Sequence, residues 1–313
     1  MSGGASSDTS AGASPGTLSA PRLPAVAGLF DPADAGSLRA LVDELVAGAA
    51  SAFPPPAGPD PAHLVGILVP HAGLVYSGLV AAAAWRLSAD ADGELPSTIV
   101  LLGTNHGAPW LAGIGAWDRG PWRTPLGEVA VDRALLEAIL ALGPPFEPDA
   151  ACHLGEHSLE VQLPFVTRLA PGSRIVALSV GSGTGGRAIM AGERLGRLLG
   201  ERRAAGDRVL LAISTDMAHY PAASVAEAVT EALRPSIVGL DAAALAAAEA
   251  ELVRRRSGVS CGMCGIEPAV LGLAALQAMG VRRGTVLASA TSADAGGDPG
   301  RTVGYLAVAF EAS

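Results

Sequence analysis

Short apolar runs closed by Gly, Pro, Asn or Asp alternate along this chain with longer stretches in which apolar residues recur every three or four positions. The first pattern is that of buried strands, the second that of helices with one face turned to a core. The runs predict strands at residues 65–69, 98–102, 174–180, 208–213, 285–290 and 302–310. The longer stretches predict helices at 37–49, 79–87, 131–142, 159–169, 188–199, 240–256 and 268–278. Aliphatic strands separated by helices predict an α/β fold, a single domain with a mostly parallel central sheet flanked by helices. Residues 1–20 fit neither pattern and read as a disordered Gly/Ser/Ala-rich leader, which leaves 21–313 for the domain.

Composition narrows the function classes. The chain has 313 residues, half of them apolar and 16% charged, so it is globular and long enough for a substantial core. A formal charge of -9 opposes contact with a polyanion, and no nucleic-acid partner is expected. The sequence holds no lysine, which removes Schiff-base chemistry and a phosphate-loop lysine together. Three cysteines, Cys152, Cys261 and Cys264, are too few and too odd a number for a disulfide framework and fit a reducing cytoplasm. The N-terminus lacks the basic and apolar regions of a secretory signal. No apolar run approaches the roughly 18 residues of a membrane span.

Candidate chemistry gathers where predicted strands end. The run LVGILV leads to Pro70 and His71, STIVLLGT leads to Asn105 and His106, and RVLLAIST leads to Asp216 and His219. In an open α/β sheet, ligands bind beyond the carboxyl ends of the strands, so three such endings can converge although they lie far apart in sequence. One strand-end histidine alone is more often a hydrogen-bonded structural residue; three in the same position suggest a site.

The ordered set PHAGLVYSG, GTNHG, GEHSLEVQLPF, STDMAHY and CGIEPAV resembles the Memo-like family, whose bacterial members are called AmmeMemoRadiSam system protein B. The N-terminal RLPAVAGLFDPADAGSLRALV and the C-terminal GDPGRTVGYLAVAF are similar to that family too. The resemblance implies a fold like that of the catalytic subunit of LigB-type class III extradiol dioxygenases. It implies that His71 and His106 are metal-site residues and that Cys264, which with Gly265 and Pro268 meets the family's Cys-Gly-x-x-Pro motif, is the metal-site cysteine. Asp216, His219 and His157 match residues lining the same pocket. Two imidazoles and a thiolate suit iron, copper or zinc and leave a coordination position open for water or substrate. His219 and His157 then stand as acid/base or orienting groups, with Asp216 fixing a tautomer. The dioxygenase relatives use a carboxylate where this chain offers a cysteine, which weighs against ring cleavage. The implied function is a metal-dependent enzyme, redox or oxygen-using, acting on a small molecule. The alternative is a binding or scaffold protein whose pocket takes a peptide or protein partner. The family's naming also links it to a radical S-adenosylmethionine protein as partner.

Three further motifs point elsewhere. HLGEH, residues 153–157, has the spacing of inverted zinc proteases, but Gly155 weakens the helix that geometry requires, and a loop with only His157 aimed at the pocket is the plainer reading. Gly181, Gly183 and Gly186 have dinucleotide-loop spacing without the acidic residue expected about 20 positions on. Cys261 and Cys264 form a lone CxxC, with no second pair to complete a zinc site. Position just before a helix predicts a lowered thiol pKa at Cys264, whereas Cys261 lies outside the Cys-Gly-x-x-Pro motif.

Overall fold

Strands whose side chains are apolar on both faces need a core on each side, and the chain supplies two. A computed structural model describes residues 20–54, 60–88, 93–255 and 258–312. Its strands are β1 Leu64–Val69, β2 Thr98–Thr104, β3 Ile114–Ala116, β4 Trp122–Thr124, β5 Gly127–Val129, β6 Phe146–Pro148, β7 Arg174–Val180, β8 Val209–Ser214, β9 Gly284–Thr291 and β10 Gly304–Glu311. Its helices are α1 Ala35–Ala52, α2 Leu74–Trp85, α3 Arg133–Ala141, α4 Leu163–Leu169, α5 Arg187–Ala204, α6 Ala223–Val238, α7 Ala242–Arg255 and α8 Ile266–Ala278. One sheet has the order β6-β3-β7-β2-β8-β1-β10-β9, and β4 pairs with β5 outside it. The centre, β7-β2-β8-β1, is parallel. On one side β10 and β9 are antiparallel; on the other β3 is antiparallel to β7 and β6 parallel to β3.

Alternation along the strands divides the core. Leu68, Val100, Leu102, Leu211 and Ile213 face a cluster shared with α5, α6 and α8. Ile67, Val69, Ile99, Leu101 and Ala212 face a second cluster shared with α1, α2 and α4. The result is a single α/β domain with a mostly parallel mixed sheet between two helical layers. Helices α5 and α8 approach until backbone meets backbone: a Cβ at Gly192 would sit 2.2 Å from the Leu271 carbonyl oxygen, and one at Gly196 2.2 Å from that of Ala275. Gly196→Val therefore lowers stability by at least about 1–3 kcal/mol through overpacking, read as a lower midpoint in urea unfolding.

The six expected strands are present, each within a few residues of its expected bounds. Differences lie elsewhere. Helix α2 begins at Leu74, not at residue 79, with Gly73 as its N-cap. The expected helix 159–169 is a 3-10 turn, Glu160–Gln162, followed by α4 with a proline in its first turn. The expected 240–256 helix runs Ala242–Arg255. Helix α6, which carries Pro235 inside it, and the three-residue strands β3 to β6 were not anticipated. Residues 1–19 of the expected leader lie outside the described residues. The glycine-rich turn after β7 has its space filled by protein: a Cβ at Gly181 would lie 2.2 Å from the Leu111 oxygen and one at Gly183 3.2 Å from Ala112. Those glycines admit the 111–113 segment, and no nucleotide need be invoked for them.

Candidate metal centre

Because β2, β8 and β1 are parallel neighbours, their carboxyl ends deliver His106, Asp216 with His219, and His71 to one edge of the sheet. Cys264 arrives from the segment before α8. Met263 bridges to Met217, the Cys264 amide donates to the Asp216 carbonyl at 3.1 Å, and Thr104 donates to the Cys264 carbonyl at 3.1 Å. The following residue must be glycine, since a Cβ at Gly265 would lie 2.6 Å from the Thr215 side chain. Its amide donates to Thr215 Oγ1 at 2.9 Å.

The expected ligand residues meet. His71 Nε2 lies 3.2 Å from Cys264 Sγ, and the ligating atoms of His71, His106 and Cys264 all lie within 4.8 Å of one another. Two further groups at the same edge satisfy that condition: His106 with Glu156 and His157, and Asp216 with His219 and Cys264. The rings of His106 and His157 stack with centroids 4.4 Å apart, and His71 stands edge-on to both at 5.4 and 5.5 Å. His71 is buried, His157 and Cys264 are half-buried, and His106 is the most open of the set.

Glu156 is the residue the sequence did not single out. Its Oε1 accepts from His106 Nδ1 at 2.9 Å and its Oε2 from the His106 amide at 2.7 Å. The signal was a carboxylate beside a candidate histidine in GEH, absorbed into a protease motif. That motif is not assembled. A 3-10 helix ends at His153, whose Nε2 donates to the Gly115 carbonyl at 2.9 Å and whose ring lies edge-on to Trp117 and Trp122. Asp216 also acts differently from expectation. Its Oδ1 accepts from the amides of His71 and Ala72 at 2.7 and 3.2 Å, pinning the loop after β1. Its Oδ2 stands 3.7 Å from His219 Nε2, beyond hydrogen-bond reach, and that buried nitrogen has no hydrogen-bond partner. Asp216 therefore does not fix the His219 tautomer here.

A family model for Memo-like protein matches residues 22–309. The chain belongs to the Memo-like family. A MEMO1 family protein of Aquifex aeolicus is 36% identical over 293 residues, covering 92% of this chain and 98% of the relative. One from Methanopyrus kandleri is 34% identical over 296 residues, with the same coverage of 92% and 98%. Among solved structures, an uncharacterized protein of Escherichia coli K12 aligns at TM-score 0.49 and 14% identity, over 79% of this chain and 99% of that one.

In this Memo-like chain burial favours the neutral form of His71 and His157. Burial, reinforced by His106, holds His71 down at about 3; burial, reinforced by His71 and His106, holds His157 at about 4. Burial alone would raise Glu156, but hydrogen bonds from His106 and Ser158 outweigh it and hold the carboxyl at about 2. Burial raises Asp216 and lowers His219, each partly opposed by the other. The expectation for Cys264 is overturned. Burial and then the nearby Asp216 push its thiol well above the ordinary value, outweighing the Asp216 amide that points at the sulfur from 3.3 Å.

The donor set fits a metal ion. An anionic carboxylate accepts from His106 Nδ1, so in the neutral ring Nε2 is the nitrogen with a free lone pair. Three donors about 2.0–2.3 Å from one tetrahedral ion lie roughly 3.3–3.8 Å apart; His71 and Cys264 stand near that spacing at 3.2 Å, and the whole set falls within 4.8 Å.

Proposed function

We propose that this protein is a mononuclear metal-dependent enzyme acting on a small molecule, with His71, His106 and Cys264 as ligands. The observation that carries the reading is the convergence of two imidazoles and one thiol within 4.8 Å at the strand ends. Iron, copper and zinc all accept that set, and a bound ion would supply an open position for water or substrate, with redox or oxygen-using chemistry open to iron and copper. His219 then takes or gives the proton: its Nε2 is unpartnered and faces Asp216 from 3.7 Å, where the carboxyl group offsets part of the lowering that burial imposes. His157 orients His106 by stacking and is itself backed by Phe30 at 4.8 Å. On this reading the kinship to extradiol dioxygenases lies in the position of the site, and a thiol where they hold a carboxylate separates its chemistry from ring cleavage. Three free cysteines accord with a reducing cytoplasm, and among the described residues no helix is long and apolar enough to cross a membrane.

One observation favours a binding or scaffold role instead: Leu29 and Tyr220, next in the chain to Phe30 and His219, are exposed, as is Tyr76 on α2, and such side chains would suit a peptide. Metal analysis of anaerobically purified protein, joined to a substrate screen, separates the two. The enzyme reading expects about one equivalent of metal per chain, and a His219→Ala variant that keeps its metal yet loses turnover. Loss of metal from that variant would make His219 a ligand. Peptide binding of unchanged affinity by metal-free protein would favour the scaffold.

A further inference from the structure

Two residues that can bond in only one sense bracket a chain of hydrogen bonds ending on His71. The indole N–H of Trp85 can only donate, and it donates to Gln162 Oε1 at 2.8 Å. That contact settles which end of the Gln162 amide is which. Its nitrogen then donates to the Pro70 carbonyl at 2.9 Å and to Ser214 Oγ at 3.0 Å, using both hydrogens. The Ser214 hydroxyl has one hydrogen, and the Ser158 carbonyl, 2.6 Å away, has none to offer. Ser214 must therefore donate to Ser158. Its remaining contact is His71 Nδ1 at 2.9 Å, and with the only hydroxyl hydrogen spent, the ring nitrogen has to be the donor. Trp85, Ser158, Gln162 and Ser214 are all 0% exposed, so no solvent competes for these positions.

We propose that Ser214 is a positioning residue which, anchored by Gln162 and Trp85, holds His71 as its Nδ1–H tautomer and so presents a bare Nε2 to a divalent metal beside Cys264. The sequence conceals the arrangement because its members come from α2, the turn before α4, and the end of β8. The geometry is that of a metal-ligating imidazole whose far nitrogen donates to a fixed acceptor, here the Ser214 hydroxyl, with the Ser214 main-chain carbonyl drawing on the same ring. His106 reaches the same state through Glu156. The two ligand candidates are thus set by unrelated partners, which makes the His71 arm separately testable.

The inference rests on the reading of His71 as a ligand, but the tautomer itself needs no metal. The test uses the full chain, reduced and metal-free, with 15N-labelled histidine and long-range proton–nitrogen correlation. Wild type should show His71 protonated at Nδ1 and bare at Nε2; a major Nε2–H form overturns the proposal whatever any variant does. Ser214→Ala should give mixed tautomers and lower the affinity for zinc(II) or cobalt(II) by about tenfold to a hundredfold. Ser214→Thr, which keeps a hydroxyl, should restore both the tautomer and the affinity; failure to restore either in a folded variant counts against the hydroxyl's role. Gln162→Leu should lower the affinity several-fold, and an unchanged value would remove Gln162 and Trp85 from the proposal. A bare Nε2 in protein that binds no metal would leave the positioning intact and overturn the metal reading. Tight metal binding with an Nε2–H ring indifferent to Ser214→Ala would do the reverse.

Discussion

Arg22→Ala should cost the fold about 3–5 kcal/mol, the range for stranding one member of a buried ion pair. The Arg22 guanidinium is fully enclosed: Nη1 donates to Glu160 Oε2 at 2.5 Å, Nε to the His153 carbonyl at 2.8 Å and Nη2 to the Glu156 carbonyl at 2.5 Å. Its plane lies over the Trp122 ring, 4.2 Å from the centroid. Alanine leaves the Glu160 carboxylate, 4% exposed, with the amides of Ala25 and Val26 as its remaining donors. The carbonyls of Leu23, His153 and Glu156 lose the guanidinium at the same time, and that of His153 keeps the Glu156 amide as a donor. In urea the midpoint should fall while the slope stays constant. A loss below about 1 kcal/mol would mean that water replaces the guanidinium and that the pair is no more than a surface bridge. Replacing both Arg22 and Glu160 by apolar residues should recover only part of the loss, because Ala25 and Val26 then lack an acceptor. The carbonyls that Arg22 holds flank Glu156, so the same variant should loosen the His106 arm of the site.

Cys264→Ala should lower affinity for a soft or borderline divalent ion by well over about tenfold, whereas Cys261→Ala should leave it nearly unchanged. The two thiols are three positions apart in sequence and differ in surroundings. Cys264 Sγ lies 3.2 Å from His71 Nε2 and receives the Asp216 amide; Cys261 falls in none of the metal-capable groups among the described residues. The raised Cys264 thiol adds a pH signature. A group protonated in the free protein and deprotonated in the complex must release its proton on binding, so affinity rises with pH, by about tenfold per unit below the thiol pKa. His71, held at about 3, is already neutral and releases nothing near neutrality. Titrations between about pH 7 and 8 should show that slope in wild type and in Cys261→Ala, and a flatter one in Cys264→Ala. The reverse ranking would mean that Cys261 carries the metal.

The parts of the molecule legible in sequence were those set by local chemistry. Aliphatic runs ending in Gly, Pro or Asn announced β1, β2 and β7 to β10, and their ends announced His71, His106 and Asp216 with His219. Helix α6 was missed because Pro235 interrupts an alanine-rich stretch whose apolar stripe, Val229, Leu233 and Ile237, is clear only once a facing sheet exists. Strands β3 to β6 are too short to show alternation. The Cys264 thiol was misjudged because proximity to a helix start can be read from spacing, while burial beside Asp216 depends on how two distant segments meet. Ser214, Gln162 and Trp85 left no local mark at all. Each is an ordinary polar or aromatic residue until β8 lies between β2 and β1.

That placement of β8 has a consequence for the order in which the protein comes into being. β1 and β2 precede β8 in the chain, yet they flank that strand, which emerges after α5, and β1 pairs on its other side with β10, Leu64 opposite Glu311. One edge of β1 thus waits for β8, and its other edge waits longer still, for β10. Such distant pairings predict slow folding, with an aliphatic strand edge exposed to aggregation until its partners arrive. His71 and Cys264 can meet only once β8 has joined β1, so the candidate site forms after that long-range pairing and not before it.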